Sequence, residues 1–163
     1  GAEPVYLTQM KALLRRHPKA TIIWAHVGLG RVVHPVQSSA AVSAAERSPT
    51  HLDIVETMLN DPGLAHLMFD ISWDEVAKYV VSSPEATART ASVLNRFPDR
   101  FLFGSDEVAP TSLDPMVKVY DTYAPLWAAL SPETRSKVLT GNYERIFDAA
   151  RVKVRAWEAE NVK

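Results

Sequence analysis

Three short apolar runs limit what this chain can fold into. Residues 21–25, 67–69 and 101–103 are dense in β-branched and aromatic side chains and do not alternate with polar ones. A run without alternation suits a strand covered on both faces, the environment of a parallel sheet. Each run leads to a polar position: the first meets His26, the second Asp70, and the third passes through Gly104 and Ser105 to Asp106.

Helical patterns lie between these runs. Leu7, Met10, Leu13 and Leu14 form a stripe that stops before Pro18, as a residue preceding proline disfavours helix. Thr50 with Asp53 predicts a capped start for a helix carrying Leu52, Val55 and Leu59. Ser72 and Glu75 have the same spacing, and Ser83-Pro84-Glu85 and Ser131-Pro132-Glu133 each set a capping hydroxyl before a first-turn proline. A last helix is predicted with Phe147, Ala150, Val154 and Trp157 on one face.

The order helix, strand, helix, strand, helix, strand, helix predicts an α/β chain of repeated βα units. Right-handed crossovers then bring His26, Asp70 and Asp106 to one carboxyl edge of the sheet. Ligands bind at that edge in barrels and in open sheets alike. Residues 38–48, small and polar with little to pack, read as a flexible loop insertion after the first strand within a single domain spanning 1–163.

Composition narrows the partners. With 18 Lys and Arg against 19 Asp and Glu, the formal charge is -1, and the basic residues are scattered. Neither nucleic acid nor an anionic membrane is an expected partner. A small-molecule substrate is. The absence of cysteine excludes disulfides, thiolate metal sites and a cysteine nucleophile. No apolar run approaches the roughly 18 residues that span a bilayer, so cytoplasm is the default expectation.

Among single residues, His26 sits between a strand and the Gly28-Leu29-Gly30 loop, where glycine lets backbone approach a ligand. Arg31 in that loop has the fork to grip a substrate carboxylate. Asp106, at the end of the third strand, can ligate a divalent metal or accept a proton from metal-bound water. Trp73 and Glu107 lie near the same edge as candidate pocket walls, and Asp70 reads as a brace for its own loop. His17, His51 and His66 read as surface or capping residues, and His34 is left open. No G-x-S-x-G elbow and no His-x-His pair occurs.

Three stretches, residues 17–28, 100–106 and 141–147, together resemble the closing part of an amidohydrolase-2 barrel. The resemblance implies the C-terminal part of a (β/α)8 TIM barrel, with parallel strands six to eight and their helices. It maps the sixth-strand histidine onto His26, the eighth-strand aspartate onto Asp106, and the terminal-helix asparagine and arginine onto Asn142 and Arg145. The function it implies is metal-dependent hydrolysis of an amide, ester or lactone bond, with zinc in the natural protein and Asp106 as a ligand. Non-oxidative decarboxylation by the same family, or a non-catalytic half-barrel, are the alternatives.

A whole barrel takes about 250 residues, so the expectation is that further strands, with the remaining metal ligands, precede this chain in the natural protein. The chain alone is then expected to bind no tight metal and to be inactive. Three barrel strands would leave Ile22, Trp24, Met68 and Phe103 exposed, which predicts a homo-oligomer or association with the N-terminal part.

Overall fold

A computed structural model describes residues 5–29 and 50–162, with Val5 described in its backbone alone. Arg31, His34 and the expected loop at 38–48 lie outside the described residues. The chain runs α1 (Val5–Arg16), β1 (Ile22–Trp24), α2 (His51–Asn60), β2 (Leu67–Asp70), α3 (Asp74–Val80), α4 (Pro84–Arg96), β3 (Phe101–Leu102), α5 (Asp114–Thr122), α6 (Ala124–Ala129), α7 (Pro132–Ser136) and α8 (Asn142–Asn161). Short 3-10 turns sit at Ala25–Gly28, Pro62–Leu64 and Pro98–Arg100, and a π-helical turn at Lys137–Gly141. Among the described residues, no helix is long and apolar enough to cross a membrane.

The sheet has three parallel strands in the order β1-β2-β3, an arrangement compatible with part of a barrel. Trp24 is level with Phe69, and Phe69 with Phe101. Period-two alternation therefore turns these three rings to one face. They stack in a line across the strands, 6.2 Å from Trp24 to Phe69 and 6.0 Å from Phe69 to Phe101 between centroids. Each such pair contributes about 0.5–1.5 kcal/mol beyond the area it buries.

One apolar core lies on this face, joining Leu7 and Leu14 of α1, Leu52, Val55 and Met58 of α2, Val76 of α3, Leu94 of α4, and Leu126 and Trp127 of α6 to Leu67, Phe69 and Phe101. Ile22, Trp24 and Phe103 pack against it from partly buried positions, and Met68 is buried. Two expectations are corrected here. The four side chains expected to stand exposed on one face do not share it: Met68 lies one residue out of phase with Leu67 and Phe69, while Ile22, Trp24 and Phe103 pack against the core. Nor is β1 buried on both sides; all three of its residues are half-buried, because it is an edge strand with helix cover on one face.

The caps follow the sequence in part. Thr50 and Asp53 form a full capping box on α2, and Ser83 and Ser131 accept hydrogen bonds from Ala86 and Thr134 N–H groups. Ser72 does not cap α3. The helix starts one residue later, after Trp73, because the Ser72 hydroxyl and N–H both donate to the Asp70 carboxylate.

The amino end of the sheet is latched by polar side chains. Arg100 donates from Nε to the Leu67 carbonyl at 2.5 Å and from Nη2 to that of Leu64 at 2.8 Å. Buried Asn142, at the start of α8, donates to the carbonyls of Pro98 and Phe101, both at 2.8 Å. Arg145 reaches the Asp99 carbonyl and the Asn142 amide oxygen. At the other end, β3 is only two residues long, and the next N–H, from Phe103, donates to Val138 in the π turn at 3.2 Å.

Because Asn142 satisfies two carbonyls that a methyl group cannot, Asn142→Ala should lower stability by about 2–3 kcal/mol. Urea unfolding of both proteins measures this; a midpoint that does not move would show that the latch contributes nothing.

Candidate active site

The first strand ends in an unusual turn. His26, Val27 and Gly28 have φ of 55°, 49° and 69°, three consecutive left-handed residues. For a non-glycine residue this costs roughly 1–2 kcal/mol, and a β-branched valine suits it least. Only Gly28 takes the conformation freely. A Cβ there would also lie 2.7 Å from the Trp24 indole. The glycine thus admits the indole of its own strand.

Several contacts hold the turn. Leu29 N–H donates to the His26 carbonyl at 2.9 Å, and His51 Nε2–H donates to the Val27 carbonyl at 2.7 Å. Buried His51 corrects its reading as a surface or capping residue. The signal was present in the sequence: His51 shares the four-and-three spacing of Val55 and Met58, the buried stripe of α2. Burial lowers its pKa, opposed by the bond to Val27.

Two further left-handed residues face this turn. Trp73, joining β2 to α3, has φ 88°, and Asp106, beyond β3, has φ 56°. The Trp73 ring lies 5.1 Å from the His26 ring, tilted by 57°. His26 Nδ1 faces the Ser72 carbonyl at 3.4 Å, and His26 Nε2 faces Asp106 Oδ2 at 3.7 Å. Residues from all three strand ends therefore meet at one edge. Strained backbone gathered in this way marks places where side-chain position is set against local preference.

The Trp73 loop is fixed by Tyr123, which sequence reasoning missed. Its buried hydroxyl shares its one hydrogen between the Ile71 carbonyl and that of Trp73, the latter at 2.8 Å. Burial, and then the charges of Asp70 and Asp74, push the Tyr123 pKa far up, so it remains a donor. The ring is wedged against Phe103 and Trp127, 5.2 Å and 5.3 Å away. Asp70 braces the same loop through Ser72, as expected. Nothing in the spacing around Tyr123 singles it out, because its partners are carbonyls about fifty residues away.

The electrostatics follow from the tautomer. A ring nitrogen facing a carbonyl must donate, which puts the neutral imidazole's hydrogen on Nδ1 and leaves the Nε2 lone pair towards Asp106. Lone pair and carboxylate at 3.7 Å repel unless a proton, a water hydrogen or a cation lies between them. Two ligands each about 2.1 Å from one divalent ion can stand this far apart. His26 and Asp106 fit as two donors. No group of three or more His, Cys, Asp or Glu able to hold a metal occurs among the described residues, whereas a catalytic zinc takes about three protein ligands.

Glu107 lines a cavity of about 460 Å³ with Asp74, Asp114, Lys118 and Thr122. Asp74 follows Trp73 and Glu107 follows Asp106 in the chain. Three carboxylates against one ammonium give its wall a net negative charge.

A family model described as amidohydrolase matches residues 2–149. No curated protein and no solved structure matches the chain.

Two predictions concern the supports. Unfolded histidine takes up a proton near pH 6.5, while His51, its pKa lowered by burial, resists doing so in the folded state. Below that pH the unfolded state binds more protons, so stability should fall with acidification. Thermal melts should show a weaker acid dependence in His51→Gln, and an identical one would place the loss elsewhere. Tyr123→Phe should cost about 1–3 kcal/mol and shift the Trp73 indole N–H resonance, whereas an unmoved resonance would mean that the hydroxyl does not position the loop.

Proposed function

The chain belongs to the amidohydrolase family, and from that premise we propose that it contributes the His26–Asp106 half of a site that hydrolyses an amide, ester or lactone bond with activated water. The observation that carries this reading is the approach of His26 Nε2 to Asp106 Oδ2 at 3.7 Å, between strand ends that share no sequence neighbourhood.

The neutral Nε2 is a general base, and a water between it and Asp106 would accept the nitrogen's pull on one hydrogen while donating the other to the carboxylate. Asp106 then stabilises the imidazolium that forms, by the electrostatic logic of a histidine paired with a carboxylate. Trp73, tilted against the imidazole with ring centres 5.1 Å apart, would shield one side of it from bulk water. The Ser72 carbonyl holds the tautomer that this chemistry needs.

A divalent ion, with Asp106 among its ligands and the His26 Nε2 left free to take the water's proton, would polarise the scissile carbonyl and acidify the attacking water. The substrate's far end would lie in the groove beside Glu107. Its carboxylates favour a hydroxyl, amide or amine over an anionic group, which separates this wall from the carboxylate grip expected of Arg31.

The test is turnover by the natural protein on a panel of small amides, esters and lactones. Asp106→Asn and His26→Asn should each reduce kcat by about 100-fold or more, with circular dichroism and melting unchanged. Asp106→Asn should also bind less metal when titrated with zinc. Activity retained in both variants would sink the assignment.

A further inference from the structure

Helix α8 leaves the body after its first turn. Asn142 is buried and Ile146 half-buried, but every residue from Phe147 to Asn161 except half-buried Glu158 is exposed. The exposed helix is nonetheless amphipathic. Tyr143, Phe147, Ala150, Val154, Trp157 and Asn161 recur at alternating intervals of four and three residues, the spacing of a two-stranded coiled-coil seam. Tyr143 is 54 % exposed, Phe147 40 %, Val154 50 % and Trp157 60 %, an apolar stripe of the kind that marks an interaction surface. From Ala150 onward this stripe lies beyond the residues matched to the family, so the shared fold does not account for it.

The charges beside the seam indicate what covers it. Arg151 and Lys153 flank it before Val154, and Glu158 and Glu160 flank it after Trp157. A seam that is basic and then acidic is complementary to itself when run backwards. We propose that α8 pairs antiparallel with α8 of a second copy of this chain, Val154 of each packing on Trp157 of the other, and Arg151 and Lys153 facing the other copy's Glu158 and Glu160.

Shape and charge both favour this register. Large faces small in the central layers, and Ala150 meets Asn161, whose amide already donates to the Trp157 carbonyl at 2.8 Å. Parallel pairing would set Trp157 against Trp157 and Ala150 against Ala150, one layer crowded and the other hollow. An antiparallel slip of one heptad would oppose Arg151 to itself, Lys153 to itself and Glu144 to Glu158. Within one chain Glu158 holds Arg155 at 2.6 Å, and a carboxylate has lone pairs left for a second cation. The seam from Ala150 to Asn161 is about 18 Å long, so the dimer is weak and sensitive to salt.

Sedimentation equilibrium of the whole chain at low salt should show a monomer–dimer equilibrium, weakened about tenfold or more by Trp157→Glu and by 1 M salt. The pair Arg151→Glu with Lys153→Glu should be monomeric, as should Glu158→Lys with Glu160→Lys, and mixing the two should restore the dimer. Because the chain has no cysteine, Ala150→Cys mixed with Asn161→Cys should give a mixed disulfide, while neither cross-links to itself. Circular dichroism checks that each variant is folded. A wild-type monomer at every soluble concentration, a dimer untouched by Trp157→Glu, or self-cross-linking of Ala150→Cys would overturn the proposal.

Discussion

The register of the three parallel strands is the constraint on which the rest of this molecule depends. Pairing Trp24 with Phe69 and Phe69 with Phe101 stacks three rings on one face. That stack anchors the core against which α1, α2 and α4 pack. A slip of one residue on any strand would turn its ring to the opposite face. It would also displace the residue at the strand's end, so the packing that stabilises the sheet also sets the relative heights of His26, Trp73 and Asp106.

Alignment alone does not aim these side chains, and the left-handed backbone at all three positions does. Each is supported from outside its own loop in a different way. Val27 is bound by His51, the Trp73 loop by Tyr123, and β3's exit by the carbonyl of Val138 in the π turn. These props come from α2, the end of α5 and the segment before α8. The elements that look like a wrapping of the sheet therefore also fix its functional edge.

The sequence revealed the strands, most of the caps and the convergence of His26 with Asp106, because these follow from local composition and from the handedness of βα units. Thr50 with Asp53 could be read since both partners lie within one turn. The start of α3 was misplaced by a residue because Asp70 competes for the Ser72 hydroxyl, and spacing cannot rank two nearby acceptors. Tyr123 was invisible for a different reason: its role depends on carbonyls brought near by tertiary folding. Gly28 was read as a place where backbone can approach a ligand, and the space a side chain would take there is filled by Trp24, a neighbour in sequence whose direction only the left-handed turn reveals. His51 was legible in principle, but a polar residue on an apolar stripe is easily assigned to the surface.

The contact between Trp24 and Gly28 also constrains how this chain can change over time. The indole occupies the volume where a side chain at position 28 would begin, and the same indole is a member of the ring stack. Any drift to a larger residue at 28 would first require a smaller one at 24, which would in turn weaken the contact with Phe69. These two positions are therefore expected to vary together or not at all in an alignment of descendants, linking the evolutionary tempo of a structural tryptophan to that of the loop carrying His26.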